Sequence, residues 1–171
     1  MSDLQPEDVA VITRQLGRRP RGLLGVAHRC GCGQPDVVIT DPRLPDGTPF
    51  PTVFYLTCPR LNSAIGTLEA SGLMRDMESR LAADQDLAQG YEQAHQDYLT
   101  RRDRIREVPE VAGFSAGGMP TRVKCLHALV AHSLAVGAGV NQFGDEALDA
   151  LGAWDEAGAC ARADTEQDDE Q

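Results

Sequence analysis

The β-prone segments of this 171-residue chain fall between residues 22 and 58, and the regular patterns elsewhere have helical periodicity. Three runs, 23–27, 37–40 and 52–57, are rich in β-branched and aromatic residues and are bounded by glycine and proline. A short turn and a stiff, proline-rich loop separate them, which predicts a three-stranded antiparallel meander. The third run is continuously apolar, so we expect it to be the central strand, covered on both faces.

Helices are predicted on both sides of this block. The first begins at Pro6, a residue suited to a first helical turn, and stops at Gly17. The others are expected over 61–72 with Gly72 at the end, over 73–81, from the N-cap Asp84 to the arginines near 106, from Pro120 to about Gly137, and from Asp145 to Trp154. The sequence therefore predicts an α+β fold: an N-terminal helix, the meander, and a helical layer packed on the sheet.

Charge divides the chain into two parts. Residues 155–171 hold seven acids and one base, so they carry −6 of the net charge of −10 and leave −4 for the first 154 residues. A polar segment of this kind buries too little apolar surface to fold. We expect residues 1–154 to form a single domain and residues 155–171 to be a disordered acidic tail.

The sequence also limits the compartment and the class of partner. The N-terminus lacks the basic start and apolar core of a signal peptide, and the longest weakly polar run, 128–140, is too short to cross a bilayer. We expect a cytoplasmic protein without membrane insertion. The negative charge makes nucleic acid an unfavourable partner, although the near-neutral domain repels it less than the overall charge suggests. In a reducing compartment the five cysteines are expected to be thiols or metal ligands, not disulfides.

Cysteine positions suggest a metal site. The first and third strands of a meander run parallel, so the thiols that follow them lie at the same end of the sheet, near the predicted helix at 120–137. Soft sulfur and imidazole donors of this kind are typical of tetrahedral zinc. The candidate ligands are Cys30, Cys32, Cys58, Cys125, His127 and His132. The alternative is that Cys58 and Cys125 are simply small buried apolar residues.

A glycine pair before the predicted helix suggests an anion site. Backbone N–H groups exposed at a positive helix end bind anions, and the chain's only lysine lies in the first turns. An arginine after the third strand adds a second cation. The candidate anion-binding residues are Gly117, Gly118, Arg122, Lys124 and Arg60. The alternative is that the glycine pair only makes a turn.

A thiol nucleophile is a third hypothesis for the same region. Cys125 near a helix start would have a lowered thiol pKa, and His127 or His132 would serve as its base. The sequence contains no Walker, G-x-S-x-G, H-E-x-x-H or dinucleotide-binding motif. Composition and motifs therefore do not name a reaction.

Four blocks of the sequence resemble a known family, the bacterial domain of unknown function 501 family. They are R-C-G-C-G-Q-P (29–35), D-G-T-P-F-P-T-V-F-Y-L-T-C-P (46–59), L-E-A-S-G (68–72) and S-A-G-G-M-P-T-R-V-K-C-L-H-A-L-V-A-H (115–132). Gly31 and Gln142 depart from the family pattern, which usually has proline at both positions. The resemblance implies a small cytoplasmic bacterial protein, often encoded near a septum-formation initiator, and so a cell-division context; it implies no activity or catalytic residue.

These observations together predict a cytoplasmic accessory or binding protein, with an anion or metal site between the strand ends and the helix at 120–137. The alternative is an enzyme that acts on a phosphorylated small molecule or uses a thiol nucleophile at that site. Zinc is the candidate cofactor. A phosphorylated small molecule or a cell-division protein is the candidate partner.

Overall fold

The computed structural model describes residues 2–154, which form an α+β fold. Its elements are α1 (Pro6–Leu16), β1 (Leu23–Arg29), β2 (Pro35–Thr40), β3 (Phe54–Leu56), α2 (Pro59–Ala70), α3 (Leu73–Ala83), α4 (Gln85–Ile105), a 3-10 helix (Pro109–Val111), α5 (Leu126–Val136) and α6 (Gln142–Leu151). Their order confirms the predicted N-terminal helix, three strands and helical layer. The predicted acidic tail, 155–171, lies outside the described residues. None of the helices within 2–154 has the length and apolar character needed to cross a bilayer.

The three strands form one antiparallel sheet in the order β1-β2-β3, which confirms the meander. Val38 of β2 lies opposite Val26 of β1 on one side and opposite Tyr55 of β3 on the other. The expectation that the third strand is central is wrong, because β2 holds that place and all six of its residues are buried. Consecutive strands usually become neighbours in a sheet, so the second lies between the other two. The apolar character of β3 reflects helix α5, which packs on it.

Helix α1 is fixed to the first strand by an ion pair. Both carboxylate oxygens of Asp8 accept hydrogen bonds from the Arg29 guanidinium, at 2.7 and 2.8 Å. Asp8 also accepts from the backbone N–H of Gln5, which closes the first turn of the helix. Gly17, with φ +66°, ends α1 as predicted. This anchoring brings the last residue of α1, Leu16, to the edge of the cleft described below.

Of the caps predicted for α2 to α4, Asp84 is confirmed, whereas the prediction that Gly72 ends a helix is wrong. The Asp84 side chain accepts from the backbone N–H groups of Asp86 and Leu87 at 3.0 and 3.1 Å, which confirms it as the N-cap of α4. Gly72 lies outside α2, which ends at Ala70, and with φ +95° it is the N-cap of α3.

Helix α5 lies in the core, between the sheet and α6. Its predicted apolar face is confirmed, since Leu126, Leu129 and Val130 are fully buried. Gly144 of α6 makes this packing close, because a Cβ there would lie 2.3 Å from the carbonyl oxygen of Leu129. The Asn141 side chain caps α6 by accepting from Gly144 N–H, so α6 starts and ends three residues earlier than predicted.

The predicted start of α5 at Pro120 is wrong, because the helix begins at Leu126. Gly117 and Gly118 adopt positive φ and turn the chain back on itself. Their carbonyl oxygens accept from the backbone N–H groups of Lys124 (2.7 Å) and Arg122 (2.9 Å). Residues 120–125 are therefore held in a loop by these bonds, and the helical hydrogen-bond ladder starts only after them.

Candidate functional site

Three side chains with different donor atoms meet where α5 begins. Glu69 lies near the end of α2, Cys125 is the N-cap residue of α5, and His127 lies in its first turn. One carboxylate oxygen, the sulfur and one ring nitrogen lie within 4.8 Å of one another. All three residues are partly exposed. We call this set the Glu–Cys–His cluster.

The Glu69 carboxylate ties the cluster to the backbone of α5. Its Oε1 accepts from the backbone N–H of Leu126 at 2.7 Å and from Nδ1 of His127 at 3.1 Å. A carboxylate at this position satisfies an otherwise unpaired donor of the first helical turn and is favoured by the positive helix end. Glu69 thus holds both the start of α5 and the imidazole ring in place.

Both nitrogens of the His127 ring face acceptors. Nδ1 faces Glu69, and Nε2 lies 3.3 Å from the backbone oxygen of Asn62 on α2. The hydrogen bond to the Cys125 sulfur, followed by the bond and charge of Glu69, raises the pKa of His127 to about 9, although burial acts in the opposite direction. Without a metal the ring is therefore mainly an imidazolium at neutral pH, and it donates from both nitrogens.

A cleft of about 380 Å³ opens beside the cluster. Its walls come from the end of α1, the segment through β3, the start of α2 and the first turn of α5. The lining residues are Leu16, Thr52, Phe54, Tyr55, Leu56, Asn62, Cys125, His127 and Ala128. Cys125 and His127 thus belong to the cleft wall, whereas Glu69 is not part of the lining. The volume is within the range of small-molecule sites, and most of the lining is apolar.

The structure brings together only part of the predicted metal set. Cys125 and His127 meet, as described, with Glu69 as the third member. Cys30 and Cys32 form a disulfide across a turn that holds their Cα atoms 5.3 Å apart, so for this pair the expectation of thiols is wrong. Cys58 is buried at the N-cap of α2, where its Sγ accepts from Leu61 N–H at 3.5 Å. The fifth cysteine, at position 160, lies outside the described residues.

His132 is a core residue and does not reach the cluster. It is fully buried two turns further along α5, with Nε2 2.9 Å from Asp97 Oδ2 and Nδ1 3.2 Å from the side-chain nitrogen of Asn141. Its ring stacks on Phe54 and meets Tyr98 edge-on. Burial lowers the pKa of His132 more than Asp97 raises it. The neutral ring of His132 therefore connects α5 to α4, through Asp97, and to the start of α6, through Asn141.

The main backbone donors of the predicted anion site form hydrogen bonds with other protein groups. The backbone N–H groups of Arg122 and Lys124 bond to the glycine pair, and that of Val123 donates to Glu78 Oε1 at 3.2 Å. Arg122 and Lys124 are exposed, and Arg122 lies 3.7 Å from the same carboxylate. Two glutamates, Glu69 and Glu78, thus stand where the sequence predicted a bound anion. Arg60 is half-buried in the first turn of α2.

Sequence reasoning missed Glu69. An acidic residue on an amphipathic helix is usually solvated, and its spacing to Cys125 and His127 is 56 and 58 residues, so no local pattern connects them. Only the packing of α2 against α5 makes the contact. The block L-E-A-S-G, which contains Glu69, resembles the family pattern. Nothing in the block itself indicates a chemical role for Glu69.

Comparison with known families settles that resemblance. A family model described as protein of unknown function (DUF501) matches residues 26–149. The chain belongs to this family. No curated protein and no solved structure gives a significant match.

The DUF501 region contains all three members of the Glu–Cys–His cluster and every residue of the cleft wall except Leu16. The cluster and the cleft are therefore built almost entirely by the family domain, while α1 closes one side.

Proposed function

We propose that this DUF501 protein is a binding protein whose Glu–Cys–His cluster holds a zinc-type divalent ion at the wall of the cleft. The observation that supports this most directly is the meeting of a thiol, an imidazole and a carboxylate within 4.8 Å. Thiolate sulfur, imidazole nitrogen and carboxylate oxygen are the three donors that zinc takes in proteins.

The spacing of the donors fits an ion of this size. Zinc bonds of about 2.0–2.1 Å to nitrogen and oxygen place tetrahedral donors about 3.3 Å apart. Glu69 Oε1 and His127 Nδ1 lie 3.1 Å apart, so an ion can replace the proton between them with little movement. The Cys125 sulfur lies within 4.8 Å of a Glu69 oxygen and a His127 ring nitrogen, so it can supply the third donor.

The surroundings of His127 resemble the support that metal-bound histidines receive. A ligating imidazole usually donates its second ring N–H to a carboxylate or a backbone carbonyl, which fixes its tautomer and orientation. With Nδ1 on the ion, Nε2–H of His127 would donate to the backbone oxygen of Asn62, 3.3 Å away. Binding would displace a proton from His127, whose pKa is raised to about 9, so affinity should rise with pH through the neutral range.

Zinc competition against a chromophoric chelator tests the proposal with reduced protein. We expect one equivalent of tightly bound zinc. The affinity for zinc should fall by at least about 100-fold in Cys125→Ser and in His127→Gln. Cys58→Ser removes a buried thiol outside the cluster and should keep wild-type affinity. The double variant Cys30→Ser/Cys32→Ser should keep it too; loss of zinc in the double variant alone would assign the ion to the turn cysteines and reject the cluster.

A second candidate is a thiol-dependent enzyme, favoured by the hydrogen bond between the Cys125 sulfur and His127. Glu69 would then orient the histidine, as the third member of a nucleophile–base–orienter set. Alkylation of metal-free protein by iodoacetamide tests this, since His127→Gln should slow the reaction of Cys125 at pH 7 by about ten-fold or more. Equal rates in both proteins would leave Cys125 an ordinary thiol.

The location stays a prediction: a reduced Cys125 thiolate favours the cytoplasm, whereas the Cys30–Cys32 disulfide is more typical of an oxidising compartment. A cell-division partner, which the family resemblance implies, stays a prediction. An anion site at the glycine pair also stays a prediction, now with its backbone donors already bonded. The same holds for the alternative of an enzyme for phosphorylated small molecules.

A further inference from the structure

The ion site has one side that the described residues, 2–154, do not fill. Cys125 and His127 line the cleft, and Glu69 reaches the cluster from α2 without lining it. An ion held by the three donors would therefore have protein on one side and the cleft on the other. Three protein ligands with a fourth position open to water or a ligand distinguish functional zinc sites from closed structural ones.

The cleft selects for an apolar molecule. Phe54, Tyr55 and Leu56 supply one wall, and Leu16 and Ala128 face it from two helices. Thr52 and Asn62 are the uncharged polar residues of the lining. A volume of about 380 Å³ suits a small molecule or one end of a larger one.

Charge limits the head group of that molecule. A divalent ion, the Cys125 thiolate and the Glu69 carboxylate sum to zero charge. Among residues 2–154, His127 is the one lining residue with an ionisable nitrogen, and on the ion it is neutral. No arginine or lysine of this described part lines the cleft. A phosphate dianion would thus be buried without a counter-charge, which is costly. A single carboxylate adds one charge and coordinates directly to the metal.

We infer that the cleft binds a small monocarboxylate with an apolar body, whose carboxylate takes the open position of a metal ion held by Glu69, Cys125 and His127. This inference rests on the proposed metal-binding function and assigns its ligand class. The apolar body would lie along Phe54 and Tyr55, away from the ion.

Cobalt-substituted protein provides the test, because the visible absorption of Co²⁺ reports each change in its ligands. Co²⁺ is added to reduced, metal-free protein, and the spectrum is titrated with acetate, hexanoate and inorganic phosphate. We expect hexanoate to change the spectrum and to bind about ten-fold or more tightly than acetate, because its additional methylene groups leave water. Phosphate should have the weakest effect of the three.

A cleft variant and a matched control locate the binding. Ala128→Phe fills the cleft and should keep the cobalt spectrum while weakening hexanoate by about ten-fold or more. Ala150→Phe adds the same ring on the exposed side of α6, and it should change neither the cobalt spectrum nor the affinity for hexanoate. The acetate–hexanoate comparison in the wild-type protein needs no variant, so it decides even if Ala128→Phe misfolds.

The outcomes separate the two proposals. If Co²⁺ gives no thiolate-ligand spectrum, or gives one that survives in Cys125→Ser, the metal function fails and this inference fails with it. If the thiolate spectrum depends on Cys125 but hexanoate binds no better than acetate, or phosphate binds best, the metal function stands and the monocarboxylate is rejected.

Discussion

The ion pair between Glu69 and His127 gives the sharpest stability prediction for the metal-free protein. Glu69→Gln keeps an oxygen that can accept from Leu126 N–H but removes the charge that faces the imidazolium. The pKa of His127 is raised from 6.5 to about 9, with Cys125 as the largest cause and Glu69 next. Each pKa unit corresponds to about 1.4 kcal/mol. Because the His127 side chain is 32 % exposed and shares its shift with Cys125, we assign only about 1–2 kcal/mol to Glu69.

The pH dependence follows from the direction of that shift. A raised histidine pKa stabilises the folded state fully below the unfolded pKa of about 6.5, and the stabilisation is lost as pH rises through about 9. Glu69→Gln should therefore lower the free energy of unfolding by about 1–2 kcal/mol at pH 6.5 and by under about 0.5 kcal/mol at pH 10. Urea unfolding with a chelator present, at several pH values between these limits, measures the difference.

Glu78→Gln is the matched control. Glu78 also accepts from a backbone N–H of the segment before α5, that of Val123, but its charged neighbour is Arg122 and not a histidine. Its effect on stability should be the same at pH 6.5 and pH 10. If Glu69→Gln shows the same flat profile, the Glu69–His127 ion pair contributes nothing and the pKa argument is refuted.

Three further predictions concern the elements around the site. His132→Phe should destabilise the protein by about 2–4 kcal/mol in thermal unfolding, because half-buried Asp97 and buried Asn141 each lose a hydrogen bond to the buried ring, yet leave zinc affinity unchanged; lost zinc would contradict its core role. Gly117→Ala should lower the free energy of unfolding by at least about 1 kcal/mol more than Gly113→Ala does. Both glycines have positive φ, but of the two only Gly117 has a neighbour that an added Cβ would meet, Leu129 Cδ2 at 2.7 Å. Phosphate should raise the melting temperature in a dose-dependent way if the predicted anion site exists; an unchanged melting temperature would reject that site and agree with backbone donors that are already bonded within the protein.

The meander is predictable because its signals are local. Each β-prone run is bounded by its own glycine or proline, and consecutive strands usually pair with each other in a sheet. Asp84 is predictable as an N-cap for the same reason, since the N–H groups that donate to it lie two and three residues away. The burial of Leu126, Leu129 and Val130 follows from helical periodicity alone.

The start of α5 is not predictable in this way, because it depends on hydrogen bonds that the sequence does not display. Glycine, glycine and proline before an apolar run indicate a helix start, and that pattern is satisfied equally by a loop. Carbonyl oxygens of Gly117 and Gly118 decide between the two by accepting from residues 124 and 122. In the loop, the predicted anion donors are bonded within the protein.

The sequence by itself determined which residues carry chemistry at this site, and the tertiary structure decided which of them meet. Thiols and imidazoles are recognisable by residue type, so the sequence alone makes Cys125 and His127 candidates. Helical phase places Cys125 and His132 on the same side of a helix, but burial directs His132 to Asp97 and Asn141 in the core. Glu69 joins the cluster only through the packing of α2 on α5, because a contact across 56 residues of sequence depends on the whole core that lies between them.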